Sequence, residues 1–218
     1  MRWLGVLMLE TRFPRLPGDV GHPDSFSMPV RCRVVGGATP QRVVRDADPA
    51  LRQPFITAAR ALADEGAAAI TTSCGFLARW QHELQDAVAV PLWTSTLLAL
   101  PALAAQRPGI ITVDAVALDP SVLRGAGADA GTPVEGLDPD SALVRTLLED
   151  RAELDAVAAR RTVLQAVRRL LRRHPATGAV VFECTNLAPY AADVERECRL
   201  PVHHLARLVD ERWAALPP

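Results

Sequence analysis

Two cysteines, Cys74 and Cys184, stand at matching points of two similar segments of the chain. The run from Ala67 to Thr72 is small and β-branched, and it ends just before the first cysteine and a helical pattern. The run from Ala179 to Asn186, AVVFECTN, again ends an apolar strand at a cysteine. Each thiol is therefore predicted at the carboxyl end of a strand and the amino end of a helix. That position favours negative charge, including a thiolate, so acid–base chemistry is possible at both.

A lone cysteine is more often a small buried apolar residue than a reactive one. The spacing around the two cysteines favours the reactive alternative. Each is followed seventeen positions later by a proline and an apolar strand, at Pro91 and at Pro201. Upstream, Gly5 to Glu10 corresponds to Gly109 to Asp114, each an apolar strand that ends in an acid. This long internal period predicts two similar halves that present one thiol each to a shared cleft.

The predicted fold class is α/β, with two similar lobes, each a mostly parallel sheet flanked by helices. The lobes are related by a pseudo-twofold axis and the cleft lies between them. Residues 1–95 together with 207–218 are assigned to the first lobe, and residues 96–206 to the second. Within them we predict a strand from Leu4 to Leu9, an edge strand from Val30 to Val35 with Cys32 packed inward, a helix from Pro49 to Glu65 that ends at Gly66, a helical region from Asp140 to His174 broken near Asp150 to Asp155, and Pro189 at a first helical position.

Composition excludes several classes of function. The chain has 218 residues, 49% of them apolar, and a net charge of −1, which favours a soluble globular protein with no nucleic-acid or membrane partner. No signal-peptide pattern is present, so we expect a cytoplasmic location. All 24 basic residues are arginine, which removes a pyridoxal-phosphate Schiff base and a Walker lysine. No CxxC pair indicates a metal, and we expect no cofactor.

Other polar residues are candidates for binding a ligand. A long loop, Phe13 to Met28, could wall a site. Arg12, just before this loop, and Arg15, within it, either hold a substrate carboxylate or are solvated. Thr94 follows a strand, where it either binds ligand or caps a helix. His204 aligns with Thr94 in the repeat, which would place it near the cleft.

The motifs TTSCGF and ECTN, with the twofold layout, resemble the aspartate/glutamate racemase family, whose relatives include hydantoin racemases, maleate isomerases and arylmalonate decarboxylases. The resemblance implies a two-lobed α/β fold, no cofactor, and two cysteines on opposite faces of a substrate whose carboxylate is held by N–H groups and hydroxyls. The matching positions are Cys74 and Cys184 as the paired thiols, then Gly75, Phe76, Thr185 and Asn186, with Glu10 and Thr11 where many members have an acid and a hydroxylic residue. CGF replaces the common CNT and CTN replaces CTH, which argues against glutamate itself as the substrate. Both thiols are retained, which favours racemisation or isomerisation over decarboxylation.

Inversion at a carbon next to a carboxylate needs one group to remove a proton and another to deliver one to the opposite face. One thiol must therefore begin as thiolate, and a helix amino end is expected to lower a cysteine pKa by up to about one and a half units. Donors must then stabilise the developing enolate. The candidates are Thr72, Ser73, Thr185, Asn186 and the amides after each cysteine, while Glu183 and Glu10 could place or tune the thiols.

The sequence thus predicts a cofactor-independent racemase or epimerase, or a related two-thiol isomerase, of amino-acid metabolism. It would act by proton transfer beside the carboxylate of a small amino acid or related acid. Two alternatives stay open. One is a hydrolase with a cysteine nucleophile and His203 or His204 as base; the other is a non-catalytic binder of small carboxylates. A homodimer is expected by analogy with the family.

Overall fold

The structure, a computed structural model, describes residues 2–217 and contains two four-stranded parallel sheets. The first sheet has the order β2-β1-β3-β4 and the second the order β6-β5-β7-β8. The strands are β1 Leu4–Met8, β2 Val30–Val34, β3 Ala69–Thr72, β4 Leu92–Trp93, β5 Pro108–Thr112, β6 Val134–Gly136, β7 Ala179–Phe182 and β8 Val202–His203. The two orders are the same once the strands are renumbered within each half, which confirms the predicted pair of similar α/β lobes.

Eight α-helices connect and cover these strands: α1 Arg52–Asp64, α2 Gln81–Asp86, α3 Leu100–Leu103, α4 Pro120–Gly125, α5 Ala142–Leu148, α6 Ala156–Arg173, α7 Ala191–Cys198 and α8 Leu205–Ala214. Short helical turns of other types lie at Pro23–Ser25, Gln41–Arg45, Pro49–Leu51, Gly75–Trp80, Thr96–Ala99, Ala104–Gln106 and Thr185–Tyr190. All but Gln41–Arg45, which is a π-helix, are 3₁₀ helices. The helical region predicted from Asp140 to His174 is α5 followed by α6, with the predicted break between them.

The strands at the centre of both sheets are buried along their whole length, because helices cover both faces of a parallel sheet. One large apolar cluster takes residues from both sheets, including Leu7, Ile70, Ile110 and Val181. A second, smaller cluster packs the last helix, α8, onto the opposite face of β1. The end of the chain thus returns to the first sheet after the second sheet is complete.

Two local predictions were wrong. Cys32 is exposed instead of packed inward. Its neighbour on β1, Val6, lies in the cluster under α8, but that cover does not reach the edge strand β2. Pro189 does not open a helix either; it lies inside the 3₁₀ helix Thr185–Tyr190, and α7 begins after it.

Among residues 2–217, no helix combines the length and the apolar character needed to cross a membrane.

Candidate active site

The first cysteine lies at the corner between β3 and the 3₁₀ helix Gly75–Trp80, as predicted. Cys74 is the residue just before that helix and has extended backbone angles. Buried hydroxyls hold the corner in place. The hydroxyl of Thr72 donates to the carbonyl of Thr94 at 2.7 Å, and Ser73 Oγ accepts from the N–H of Leu9 at 2.9 Å. The thiol is therefore fixed on a rigid strand end.

The second cysteine occupies the same place in the second half. Cys184 follows β7 and immediately precedes the 3₁₀ helix Thr185–Tyr190. The hydroxyl of Thr185, which is buried, crosses between the halves and donates to the carbonyl of Ser73 at 3.0 Å. The two corners are thus bonded directly to each other.

A close approach at Gly75 shows how tightly the corners meet. A Cβ atom at this position would lie 2.2 Å from the backbone oxygen of Glu183 and 2.5 Å from its Oε1. No side chain fits there, so only glycine allows the second half to come this near the first. The requirement explains the glycine after Cys74.

Both cysteines open onto one small cavity between the two sheets. Its walls are mostly apolar, and Glu183 is the one charged residue among those that line it. The lining residues are Leu9, Phe13, Pro40, Val44, Ser73, Cys74, Gly75, Phe76, Val113, Leu147, Leu148, Glu183, Cys184 and Asn186. Both thiols therefore face the same small cavity.

The expected lowering of a thiol pKa is not found. Burial, reinforced by the nearby Glu183 carboxyl, raises the pKa of Cys74 to about 12. The same two causes raise the pKa of Cys184 well above its ordinary value. The N–H groups of Phe76 and Asn186 oppose these shifts by donating to the sulfurs of Cys74 and Cys184 respectively. The loss of hydration on burial has a larger effect on these pKa values than the helix amino ends have, so both thiols are protonated at neutral pH.

Glu183 is fully buried and lines the same cavity as the two thiols. Its Oε2 accepts a hydrogen bond from the hydroxyl of Thr112 at 2.8 Å, while its Oε1 has no partner. Burial raises the pKa of Glu183 to about 8, although the hydrogen bond from Thr112 opposes the shift. At neutral pH this carboxyl is largely neutral, and it is the most easily ionised of the three acidic groups in the cavity.

A buried ion pair lies behind Cys184. Asn186 Oδ1 is 3.5 Å from Cys184 Sγ, and Asn186 Nδ2 donates to Asp19 Oδ2. Asp19 is 1% exposed, and its Oδ1 accepts from Arg15 Nη1 at 2.8 Å. The long loop after β1 therefore reaches the second cysteine through a chain of polar contacts.

Of the predicted site residues, Ser73, Cys74, Gly75, Phe76, Cys184 and Asn186 line the cavity, and the remaining ones do not. Thr72 and Thr185 are buried just behind it and hold the corners. Thr94 donates to Gln81 Oε1 at 2.6 Å and so supports the first corner from outside the cavity. Their direct contact with a substrate stays a prediction.

The structure places the other predicted residues away from the cavity walls. Glu10 accepts from the N–H of Gly37 at 2.7 Å, and the Thr11 hydroxyl accepts from Arg15. Arg12 is exposed and pairs with Asp150 at 3.2 Å.

His204 lies in a separate surface groove, where it caps α8 by accepting from the N–H of Arg207. The sequence repeat aligns His204 with Thr94. In the structure the His204 side chain caps α8 and does not line the cavity that holds the thiols. Neither His203 nor His204 lines the cavity, so the hydrolase alternative loses its expected base.

Sequence reasoning missed Asp19, Leu147 and Leu148. Asp19 lies in a loop rich in proline and glycine, and nothing in a local pattern distinguishes a buried loop aspartate from a solvated one. The two leucines belong to the apolar face of α5, which the sequence shows only as a core-facing stripe.

Within residues 2–217, no cluster of three or more histidine, cysteine, aspartate or glutamate side chains is arranged to hold a metal ion.

Comparison with solved structures defines the class of the fold. Allantoin racemase from Klebsiella pneumoniae superimposes with a TM-score of 0.70 over 99% of this chain and 89% of that one, at 16% identity. An aspartate racemase homologue from Pyrococcus horikoshii OT3 gives a TM-score of 0.56 over 99% and 98% of the two chains, at 14% identity. The chain has the fold of the aspartate/glutamate racemase superfamily, as the sequence motifs predicted.

Sequence comparison identifies the family within that fold. A dimethylsulfoniopropionate lyase from Durusdinium sp. clade D is 31% identical over 213 residues, which cover 92% of this chain and 70% of the relative. Dimethylsulfoniopropionate lyase 3 from Emiliania huxleyi (strain CCMP1516) is 30% identical over 91% of this chain, which spans only 56% of that protein. The chain belongs to the family of these dimethylsulfoniopropionate lyases. No family model matches it.

These relatives support the expectation of an enzyme. The isomerase class is not confirmed, because the relatives by sequence are named lyases.

Proposed function

We propose that this protein is a cofactor-independent lyase that removes a proton from the carbon next to a carboxylate and expels a thioether from the following carbon. The substrate is dimethylsulfoniopropionate or a closely related sulfonium acid. The observation that carries the proposal is that two thiols and one buried carboxyl group line a single small, mostly apolar cavity. The names of the relatives supply the substrate class.

The reaction balances without an added reagent. A cysteine thiolate takes one proton from the carbon beside the carboxylate, and the electron pair of that C–H bond passes into the enolate. The pair then forms the carbon–carbon double bond while the adjacent carbon–sulfur bond breaks, and its electrons leave with neutral dimethyl sulfide. The products are acrylate, dimethyl sulfide and a proton, which the cysteine returns to solvent.

A sulfonium substrate explains how a thiol with a raised pKa can act as a base. Burial and Glu183 raise the pKa of both cysteines, which disfavours the thiolate form. A positive sulfur in the same cavity reverses that effect, since an opposite charge within about 4–6 Å favours the ionised form. Binding of the cation would therefore help to ionise the thiol that removes the proton.

Part of the cavity wall suits a trialkyl sulfonium group. Leu147, Leu148 and Phe76 offer apolar contact to its methyl groups. A trialkyl sulfonium carries no N–H, and aromatic faces attract such cations.

The substrate carboxylate has a backbone donor at the first corner. Gly75 lines the cavity and opens the 3₁₀ helix Gly75–Trp80, so its N–H group has no acceptor within that helix. The Ser73 side chain also lines the cavity. Donors of this kind stabilise a developing enolate oxygen by about 3 kcal/mol each.

A second candidate is racemisation or isomerisation at the same carbon. The observation that favours it is the presence of both thiols, because an elimination that expels a neutral sulfide needs only one base. Two groups that flank one carbon are what inversion requires.

One experiment separates the two candidates. The purified protein is incubated in heavy water with dimethylsulfoniopropionate, and in parallel with a panel of amino acids, hydantoins and 2-substituted acids. Headspace chromatography measures dimethyl sulfide, and proton NMR follows acrylate and exchange beside the carboxylate. We expect dimethyl sulfide and acrylate in equal amounts from the sulfonium acid. Exchange or inversion in another acid, with no sulfide released, would support the racemase instead. No turnover and no exchange with any compound would contradict both.

A further inference from the structure

We propose that Asp19 is a positioning residue that gives the two cysteines different roles, with Cys184 as the proton-bearing thiol and Cys74 as the base. It acts through Asn186, whose side chain lies between Asp19 and Cys184. The inference rests on the proposed function, because the roles matter only where the thiols transfer protons.

The Asp19 carboxylate has a fixed set of partners. Oδ1 accepts from Arg15 Nη1 at 2.8 Å and from the N–H of Gly21 at 2.7 Å. Oδ2 accepts from Asn186 Nδ2. An ionised carboxylate can only accept hydrogen bonds, so it selects the NH₂ end of the facing amide. The amide of Asn186 can therefore point in only one direction.

That direction fixes what Cys184 meets. With its NH₂ group turned to Asp19, Asn186 turns Oδ1 to the sulfur of Cys184 at 3.5 Å. An amide oxygen accepts a hydrogen bond and cannot donate one. It therefore stabilises the S–H form of Cys184 and opposes the thiolate.

Cys74 has no such partner. The residue at the position that matches Asn186 is Phe76, whose side chain cannot accept a hydrogen bond. Within residues 2–217, the Cys74 thiol donates no hydrogen bond, whereas the Cys184 thiol donates to Asn186 Oδ1. The two corners differ in this one side chain. In both, the sulfur accepts a hydrogen bond from a backbone N–H, that of Phe76 at Cys74 and that of Asn186 at Cys184.

The charges around the two thiols favour the same assignment, with Cys74 as the more easily ionised thiol. Glu183 raises the pKa of both cysteines, but Arg79 and Arg15 lower that of Cys74. At Cys184 the further influences are Cys74 and then Asp19, and both raise its pKa.

The long loop after β1 is built to seat Asp19 against the second corner. Gly18 has a φ of +99°, and a Cβ there would lie 3.4 Å from the backbone of Pro189 in the 3₁₀ helix after Cys184. The hydroxyl of Ser25 donates to the carbonyl of Asp19 and accepts from the N–H of Gly18 at 3.0 Å, which closes the loop on itself. The loop thus delivers a carboxylate from the first half to the thiol of the second.

The test is a titration of the two thiols by NMR, with cysteine labelled at the β carbon with ¹³C, so that no substrate is needed. The key variant is Asp19→Asn. The new amide keeps an oxygen for Arg15 and turns its NH₂ group to Asn186, which must then rotate and present its own NH₂ group to Cys184. In the wild-type protein we expect Cys74 to ionise at lower pH than Cys184. In Asp19→Asn we expect the Cys184 pKa to fall by about one unit, a roughly tenfold rise in its thiolate fraction at a given pH, and the Cys74 titration to change less.

Two further variants are measured in the same way, one as a control and one as a second test. Asp24→Asn changes an exposed carboxylate of the same loop and is expected to leave both titrations in place. Asn186→Ala removes the acceptor without altering the contact of Asp19 with Arg15, and should lower the Cys184 pKa if Asp19→Asn does not fold.

A Cys184 that ionises first in the wild-type protein, or that titrates unchanged in a folded Asp19→Asn or Asn186→Ala variant, would overturn the inference. Either result is independent of whether any substrate is turned over, so it is distinct from a failure of the proposed lyase activity.

Discussion

The hydroxyl of Thr185 in the second half donates to the backbone carbonyl of Ser73 in the first half, at 3.0 Å and out of contact with water. These two residues stand next to the two cysteines. A single hydrogen bond thus joins the corners that carry the thiols.

Replacement of Thr185 by Val should destabilise the protein and slow the reaction. The variant keeps the shape of the side chain but leaves the Ser73 carbonyl buried without this donor, which costs about 1–3 kcal/mol. Chemical denaturation measures the loss. Thr57→Val, on the exposed side of α1, is the matched control and should be close to neutral. Equal stability of the two variants would mean that the bond between the halves contributes nothing.

Gly75→Ala is expected to be more damaging than its size suggests. The added Cβ would meet the Glu183 backbone oxygen at 2.2 Å, a distance that requires the corners to separate. We expect a loss of about 1–3 kcal/mol in the free energy of unfolding, as for other overpacked sites, and a larger relative loss of activity. Gly36→Ala, where a Cβ meets nothing within 4 Å, is the control. A Gly75→Ala protein with wild-type stability and turnover would show that the close contact is dispensable.

The buried Glu183 predicts a particular dependence of stability on pH. Burial raises the pKa of Glu183 from 4.5 to about 8, so between these values the folded state holds a proton that the unfolded chain has released. Its contribution to stability is complete below about pH 4.5 and is lost as pH rises toward 8, at up to about 1.4 kcal/mol per pH unit. Glu183→Gln stays neutral, so its stability relative to wild type should increase from pH 5 to pH 8. Denaturation at several pH values measures the difference; a constant difference would contradict the raised pKa.

The two cysteines should differ in their effect on elimination. Cys74→Ser removes the inferred base and should lower the rate of dimethyl sulfide release by about 10²–10⁴-fold. Cys184→Ser should retain measurable release, because the sulfide leaves as a neutral molecule and needs no acid. Cys32→Ser, at an exposed position on β2, is the control and should behave as wild type.

The same variants distinguish lyase from racemase. If both Cys74→Ser and Cys184→Ser abolish all turnover of an amino acid or hydantoin, inversion by two thiols is the better account. If both retain full activity, neither proposal stands.

Much of the fold could be predicted from the sequence because its signals are local or periodic. Gly66 ends α1 with a φ of +92°, as its glycine predicted. The sequence repeat around Cys74 and Cys184 predicted two sheets with the same strand order, and the structure has them. Both corners were placed correctly for that reason.

The direction of the pKa shifts of the thiols could not be predicted from the sequence. A helix amino end at Cys74 is visible in the sequence, but the loss of water around the thiol and the approach of Glu183 depend on how the halves pack. The role of Asp19 likewise depends on the path of a loop that has no period. His204 shows the opposite error, because the repeat aligned it with Thr94 although the two side chains make different contacts.

The bond between Thr185 and Ser73 joins residues 112 positions apart in the chain. Closing a loop of that length costs conformational entropy, which the packing of the two halves must offset. The two sulfurs therefore come to face one cavity only when both halves are folded and packed together. Catalysis is in this way tied to the completion of the native state.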